Sequence, residues 1–518
     1  MWFISLIFLL YNSLYHPLMH RFLFSISLIL AALSTHGYAA ETSSLLQPCD
    51  RKKFKTIVDY EDRALCGKLS VPEAEGINDR LIDLNVVMLP ATTRVVVEDP
   101  LVLLAGGPGQ AAVSLGPGWA QRFENLRKNR NILLVDQRGT GQSNSLSCEL
   151  ELAPTLDDIG VSGSIEDVIA AQVNALKQCL EGLDADPQHY HSLAAAEDLE
   201  RVRQQLALPA MNLFGISYGT RMALVYTRLY PDSVRSLLLD AVAPTDMIIP
   251  LRVGTDADLA FQQIMAECEA QESCRKAFPN LPTLLRDAES RLAERKSLNL
   301  IHPLTGEREA VTLDPRIINR LLRGAMYSRD LRQLIPLALS EAAAGRWQTL
   351  VAIGDLISPD YEDDATMSIG MMASVLCSED MTRVSNDVQG IYFNNALTEL
   401  LDAVCPIWPS TPVTEDYFQP VKTAHPTLLM SGTLDPITPP NYAEAALSHL
   451  SGAKHLVVAG GAHGVSHLGC LPELIDTFLE TLAVQDLDVS CVEEILPKPF
   501  FLGYAGPFSP QKETTAHD

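Results

Sequence analysis

The chain of 518 residues has no CxxC pair, no HExxH, no GxGxxG and no GxxxxGKS/T. The first absence argues against zinc ribbons and thioredoxin-like redox centres. The second argues against a helix-borne zinc of the metallopeptidase type, and the others against loops that cradle nucleotide phosphates. After the first 40 positions no apolar run approaches the ~20 residues that a membrane span requires. Internal repeats and low-complexity tracts are missing as well. Positive charge is scarce: 39 Lys and Arg stand against 64 Asp and Glu, for a formal net charge of −25. Such a surface repels nucleic acid and anionic lipid, so neither is expected as a partner. It attracts cations such as free amino termini, although solubility alone accounts for the same excess. What remains is ordinary globular material, 47% hydrophobic and 20% charged, enough for a sizeable core and two structural units.

The first 40 residues read as a secretory signal. "MHRFLFSISLILAALSTHGYAAET" has Arg21, an apolar run from Phe22 to Leu33, and the small-x-small site Gly37-Tyr38-Ala39. The stretch before it, "MWFISLIFLLYNSLYHPL", leaves both Met1 and Met19 as possible starts. Cleavage near Ala39 or Ala40 is expected, with the mature chain periplasmic or extracellular and no other membrane segment. All ten cysteines follow the signal. In an exported protein their default state is disulfide-bonded, and pairing of successive neighbours suggests 49–66, 148–179, 268–274, 377–405 and 470–491.

Seven short apolar runs read as buried strands: "LNVVML" (84–89), "LVLLA" (101–105), "NILLVD" (131–136), "MNLFG" (211–215), "SLLLDAV" (236–242), "TLLMSG" (427–432) and "HLVVAG" (455–460). Their continuity, rather than alternation, predicts parallel strands covered on both faces. Helical stretches such as 219–230 and 440–450 lie between them, which implies an α/β sheet. Over 244–424 helical periodicity takes over, as in Leu281, Leu284, Leu285, Ala288 and Leu292, and again in Leu331, Leu334, Ile335 and Ala338. The expected organisation is a signal (1–40), a sheet core in two parts (41–243 and 425–518) and a mainly helical cap inserted over 244–424.

Gly215-Ile216-Ser217-Tyr218-Gly219 is a GxSxG after an apolar strand and before a helix that stops at Pro231. A serine on such a turn is held in a strained conformation that lifts its hydroxyl above the sheet, with small neighbours two residues away on each side. Ser217 is therefore the candidate nucleophile. In this architecture the acid and the base follow in that order, each just past a later strand. Asp435 follows the strand 427–432, and His463 follows the next one. Oxyanion donors are expected from Tyr218 N–H and from the glycine-rich loop "AGGPGQAA", with Gly107 N–H as the second donor. His463 and His467 are four apart, a spacing that can ligate a metal. They lack further ligands, so no metal and no other cofactor is expected; His467 is expected to cap or pack. Asp136 and Arg138 in "VDQRGTGQS" are expected to ion-pair and pin the loops.

Taken together, "GGPG" (106–109), "DQRGTGQS" (136–143), "GISYGT" (215–220), "GTLDPITPP" (432–440) and "GAHG" (461–464) resemble the α/β-hydrolase family of proline iminopeptidases and secreted tripeptidyl aminopeptidases. The resemblance covers most of the chain from about Cys49 to about residue 500. It implies a mostly parallel sheet flanked by helices, and a serine exopeptidase acting on peptides with a free N-terminus, with Ser217, Asp435 and His463 as triad. Ala105 stands where the proline iminopeptidase branch usually has histidine, so the likeness is stronger to the secreted tripeptidyl branch. Recognition of an amine calls for a carboxylate, and Glu379 or Asp380 in "LCSEDMTR" is expected to supply it. An esterase or lipase on the same scaffold is the alternative, and a non-catalytic binding protein the next.

Overall fold

In a computed structural model, described for residues 45–52, 63–148, 165–294, 298–301, 306–311, 316–357, 367–384 and 390–507, a nine-stranded sheet forms the centre of the protein. The expected signal, 1–40, lies outside the described residues. In chain order the strands are β1 (Gln47–Pro48), β2 (Leu65–Pro72), β3 (Leu81–Leu89), β4 (Val97–Leu104), β5 (Arg130–Val135), β6 (Met211–Ile216), β7 (Val234–Asp240), β8 (Leu298–Ile301), β9 (Arg308–Val311), β10 (Thr427–Gly432) and β11 (Ala453–Val458). The central sheet runs β1-β2-β3-β5-β4-β6-β7-β10-β11, and β8 and β9 form a separate hairpin. From β5 to β11 every pairing is parallel.

Consecutive residues of the central strands enter opposite cores. Val102, Leu133, Leu213, Leu237 and Leu429 pack on one side of the sheet, and Leu103, Leu134, Phe214, Leu238 and Met430 on the other. With both faces covered, the strands read as unbroken apolar runs. The run at 84–89 corrects one expectation, because β3 pairs antiparallel with both β2 and β5. Its Val86 and Met88 enter one core and Val87 and Leu89 the other. Burial on both faces, not strand direction, writes the apolar pattern. The edge strand β1, only two exposed residues long, and the half-buried β2 beside it carry no such signal.

Among the described residues, eight α-helices and the β8–β9 hairpin lie between β7 and β10. Phe261, Ile264, Leu285, Leu292, Ile318, Leu322, Ala338 and Leu350 build a core of their own there. That core takes in Leu434, so it reaches the loop after β10 that carries the next residue, Asp435. The helix Ile369–Glu379 behaves differently. Its Met371, Val375 and Leu376 join the sheet-side core and anchor the insertion to the sheet. The periodic residues 331–335 begin as a 3-10 turn, Leu331–Leu334, before the helix Ile335–Ala343. Among the described residues no helix is long and apolar enough to cross a membrane.

Disulfides join Cys49–Cys66, Cys148–Cys179, Cys268–Cys274, Cys377–Cys405 and Cys470–Cys491, each pair being neighbours in sequence. Asp136 and Arg138 both pin loops, but not to each other, which corrects the expected pair. Arg138 forks onto Asp198, its Nε and Nη2 donating at 2.7 and 2.8 Å, and also donates to the carbonyls of Glu73 and His189. Asp136 accepts from Val113 N–H at 2.9 Å and from the Asn85 amide at 2.8 Å. The buried arginine needs a carboxylate with two free oxygens, and those of Asp136 are taken by the loop after the GGPG segment, by Asn85 of β3 and by Gln142 N–H.

Candidate active site

Ser217 sits between β6 and the helix Tyr218–Leu229 with φ 56° and ψ −126°, a region costly for any side chain. The tightness of the turn explains its glycines. A Cβ on Gly215 would lie 2.3 Å from the Gly219 carbonyl oxygen, and one on Gly219 would lie 2.0 Å from that of Leu104. Ser217 N–H donates to the Asp240 carbonyl at 2.9 Å, and Thr220 Oγ1 donates back to the Ser217 carbonyl at 2.6 Å.

Asp435 is 1% exposed. Its Oδ1 accepts from the N–H groups of Ile437 and Thr438, both at 2.9 Å, and its Oδ2 from Thr438 Oγ1 at 2.8 Å. His463 Nδ1 lies 2.9 Å from Oδ2 and 3.0 Å from Oδ1. Burial disfavours the carboxylate, yet the His463 partner and these donors hold Asp435 below its usual range. For His463 burial opposes charge as well, and Asp435, with help from Asp240, outweighs it to hold the imidazole above its ordinary value. From the other side, the ring of Tyr327, at the end of the helix Arg316–Met326, meets the His463 ring edge-on at 5.1 Å.

Asp240, at the end of β7, is the residue that sequence reasoning missed. Its carboxylate accepts from Val465 N–H at 2.9 and 3.0 Å and from Ser466 N–H at 2.9 Å. One residue thus holds Ser217 through its carbonyl and the loop just after His463 through its side chain. The only signal was an aspartate ending a buried strand.

The GGPG loop runs alongside. A Cβ on Gly106 would stand 3.1 Å from the Ser217 Cβ. Gly107 has φ 110° and Gly109 φ 116°, both in glycine territory. Neither Gly107 N–H nor Tyr218 N–H donates to a protein acceptor among the described residues. The insertion covers this loop, with Ser368 N–H donating to the Gly109 carbonyl at 2.9 Å and Met367 Sδ against Gly107. His467 is exposed rather than capping or packed.

Glu379 and Asp380 correct the expectation that one of them meets a substrate amine. Both are fully buried beneath the elbow. Asp380 accepts from Arg221 Nη1 at 2.8 Å and from Ile249 N–H at 2.8 Å. Glu379 Oε1 accepts from Ser192 N–H at 2.7 Å; its Oε2 accepts from Ser192 Oγ at 2.9 Å and from the Tyr417 hydroxyl. Burial raises Glu379 above the usual carboxylate range despite Arg221 nearby. Ser192 Oγ also bonds the Tyr218 hydroxyl at 2.8 Å, so Glu379 braces the residue after Ser217.

Residues 99–277 match the α/β hydrolase fold family, and residues 390–491 match the family of TAP-like proteins. The chain is 26% identical to a tripeptidyl aminopeptidase of Streptomyces coelicolor, over 85% of this chain and 87% of that one. It is 25% identical to the serine protease Hip1 of Mycobacterium tuberculosis, over 80% of this chain and 85% of the other. A proline iminopeptidase of Aeromonas sobria is 33% identical over 31% of each chain. With the parallel sheet and the serine elbow, these matches make the chain a serine peptidase with the α/β-hydrolase fold and a TAP-like segment over 390–491.

Proposed function

We propose that this protein is an exported serine exopeptidase that releases residues from the free N-terminus of peptides, with Ser217, His463 and Asp435 as its triad. The observation that carries the reading is the Asp435–His463 pair at 2.9 Å, tethered through Asp240 to a strained serine elbow. Ser217 Oγ attacks the scissile carbonyl while His463 Nε2 takes its proton. Asp435 keeps the Nδ1–H donor facing itself and stabilises the imidazolium that forms. The oxyanion gathers the free N–H groups of Gly107 and Tyr218. Collapse expels the new amine, protonated by His463, and leaves an acyl-Ser217 that water hydrolyses with His463 again as base. The core is built from 41–243 and 425–518, and the insertion 244–424 shapes the substrate pocket. The five disulfides support a periplasmic or extracellular location.

The test is a panel of Pro-, Ala- and Ala-Ala-Pro-anilides with N-blocked counterparts. Free-amine substrates are expected to be cleaved at least about tenfold faster, the size of one lost charge-assisted contact. Equal rates for blocked and free forms would sink the exopeptidase reading. Turnover of p-nitrophenyl esters alone would favour the esterase alternative.

The pH dependence follows from the base. Only neutral His463 accepts the Ser217 proton, and Asp435 holds its pKa above 6.5. As pH falls through that raised value kcat/KM drops, so the acid limb has its midpoint above 6.5. In Asp435→Asn the limb moves to lower pH, and the rate falls by about 10^4 because the wrong imidazole tautomer is favoured. A pH–rate profile of both enzymes checks this; an unmoved limb would contradict it.

A further inference from the structure

The helix Arg316–Met326 presents one face to the insertion's own core, through Ile318, Leu321, Leu322 and Ala325. On its other side Arg320, Arg323 and Tyr327 follow one another at spacings of three and four, a single stripe on a helix. The stripe ends on the reaction centre, since Tyr327 is the residue whose ring meets His463 at 5.1 Å. Both arginines are partly buried, and neither makes an ion pair or hydrogen bond with any described residue. That is anomalous in a chain with 64 acidic residues. Elsewhere Arg130, Arg138, Arg203, Arg221 and Arg332 each have a carboxylate within 3.0 Å. Burial, and then Arg323 beside it, push Arg320 down to about 10. Two like charges one turn apart and partly out of water are a standing cost unless an anion joins them.

The chemistry of the proposed reaction says which anion. His463 hands its proton to the departing amine, so the leaving part of the peptide lies on the His463 side of Ser217. Tyr327 and the arginines extend away from that side. Arg323 lies about 6 Å and Arg320 about 10 Å along the helix from Tyr327, at 1.5 Å of rise per residue. A chain extended at about 3.5 Å per residue covers that distance in roughly two to three residues.

We propose that Arg323 and Arg320 bind a carboxylate on the leaving side of the peptide, making this enzyme selective for substrates whose departing segment is short and anionic. The inference rests on the exopeptidase reading above. The carboxylate is either the C-terminus of a short peptide or an Asp or Glu side chain within the departing segment, and the two are separable by synthesis.

The experiment measures kcat/KM for N-terminally free pentapeptides of the Ala-Ala-Pro-Ala-Ala type. Each is made as C-terminal acid and amide, with Asp or Asn at either departing position. A set with the departing segment lengthened to six residues and N-blocked controls completes the series. For the wild type the acid is expected to exceed the amide by at least about tenfold, or Asp to exceed Asn by that factor. The C-terminal preference fades as the segment lengthens, whereas a side-chain preference does not. In Arg320→Gln/Arg323→Gln the ratio falls to near one. A wild-type ratio near one in both series overturns the proposal without recourse to any variant. A preference that survives in the double variant overturns the assignment to these arginines. Equal cleavage of N-blocked controls overturns the exopeptidase reading instead, so the two failures are distinguishable.

Discussion

Ser217→Ala is expected to lower kcat/KM on the order of a million-fold, the loss seen when an activated serine is deleted from an intact triad. The magnitude follows from what the residue does and what remains without it. In the proposed mechanism the Ser217 hydroxyl forms the acyl bond. In the proposed site the Gly107 and Tyr218 donors would still stabilise a tetrahedral oxyanion when water attacks directly, so a small residual rate is expected. The protein should remain folded. Alanine at φ 56° bears the same backbone strain as serine, and the Ser217 N–H donor to Asp240 is retained. A fluorophosphonate probe should label the wild type once per chain and leave the variant unlabelled. Turnover of the variant above about one per cent of wild type would reject Ser217 as nucleophile.

The second large effect is on stability. Asp380→Ala is expected to cost about 3–5 kcal/mol, the usual result of stranding one partner of a fully buried ion pair. Arg221 lies in the first turn of the helix that Ser217 caps, and both its side chain and that of Asp380 are 0% exposed. Without Asp380 the guanidinium retains the carbonyls of Met247 at 2.7 Å and Pro244 at 3.4 Å and a distant Glu379 oxygen at 3.7 Å, too little to balance a desolvated charge. Ile249 N–H loses its acceptor in the same substitution. Denaturant midpoints with unchanged slope measure the loss, and a change under about 1 kcal/mol would refute the account. Replacing both partners by apolar residues should recover part of it, since the pair itself gains little over good packing. The bridge joins the elbow helix to the end of the helix Ile369–Glu379, so its loss also loosens the insertion over the site.

What the sequence by itself determined about this protein is local. The strand–turn–helix around Ser217 is written in five consecutive residues, because Gly215 and Gly219 stand where any Cβ would collide with backbone. The placement of Asp435 and His463 just past buried strands is legible for the same reason, since each depends only on where its own strand ends. Neighbouring cysteines pair because they are joined by segments of 6 to 31 residues, short enough to bring their ends together. The run at 84–89 shows the limit of such reading: burial was legible there and direction was not.

What only the tertiary structure decided is which distant groups share a buried charge. Arg138 takes Asp198, 60 residues away, rather than Asp136 two residues away. Asp380 goes to Arg221 across 159 residues, and Asp240 holds the loop after His463 across 225. A carboxylate in a sequence looks the same whether it will meet a substrate amine or neutralise an arginine in the core. The choice is made by desolvation and by which donors the packed chain brings within 3 Å, and neither exists until the sheet and its insertion have closed on each other.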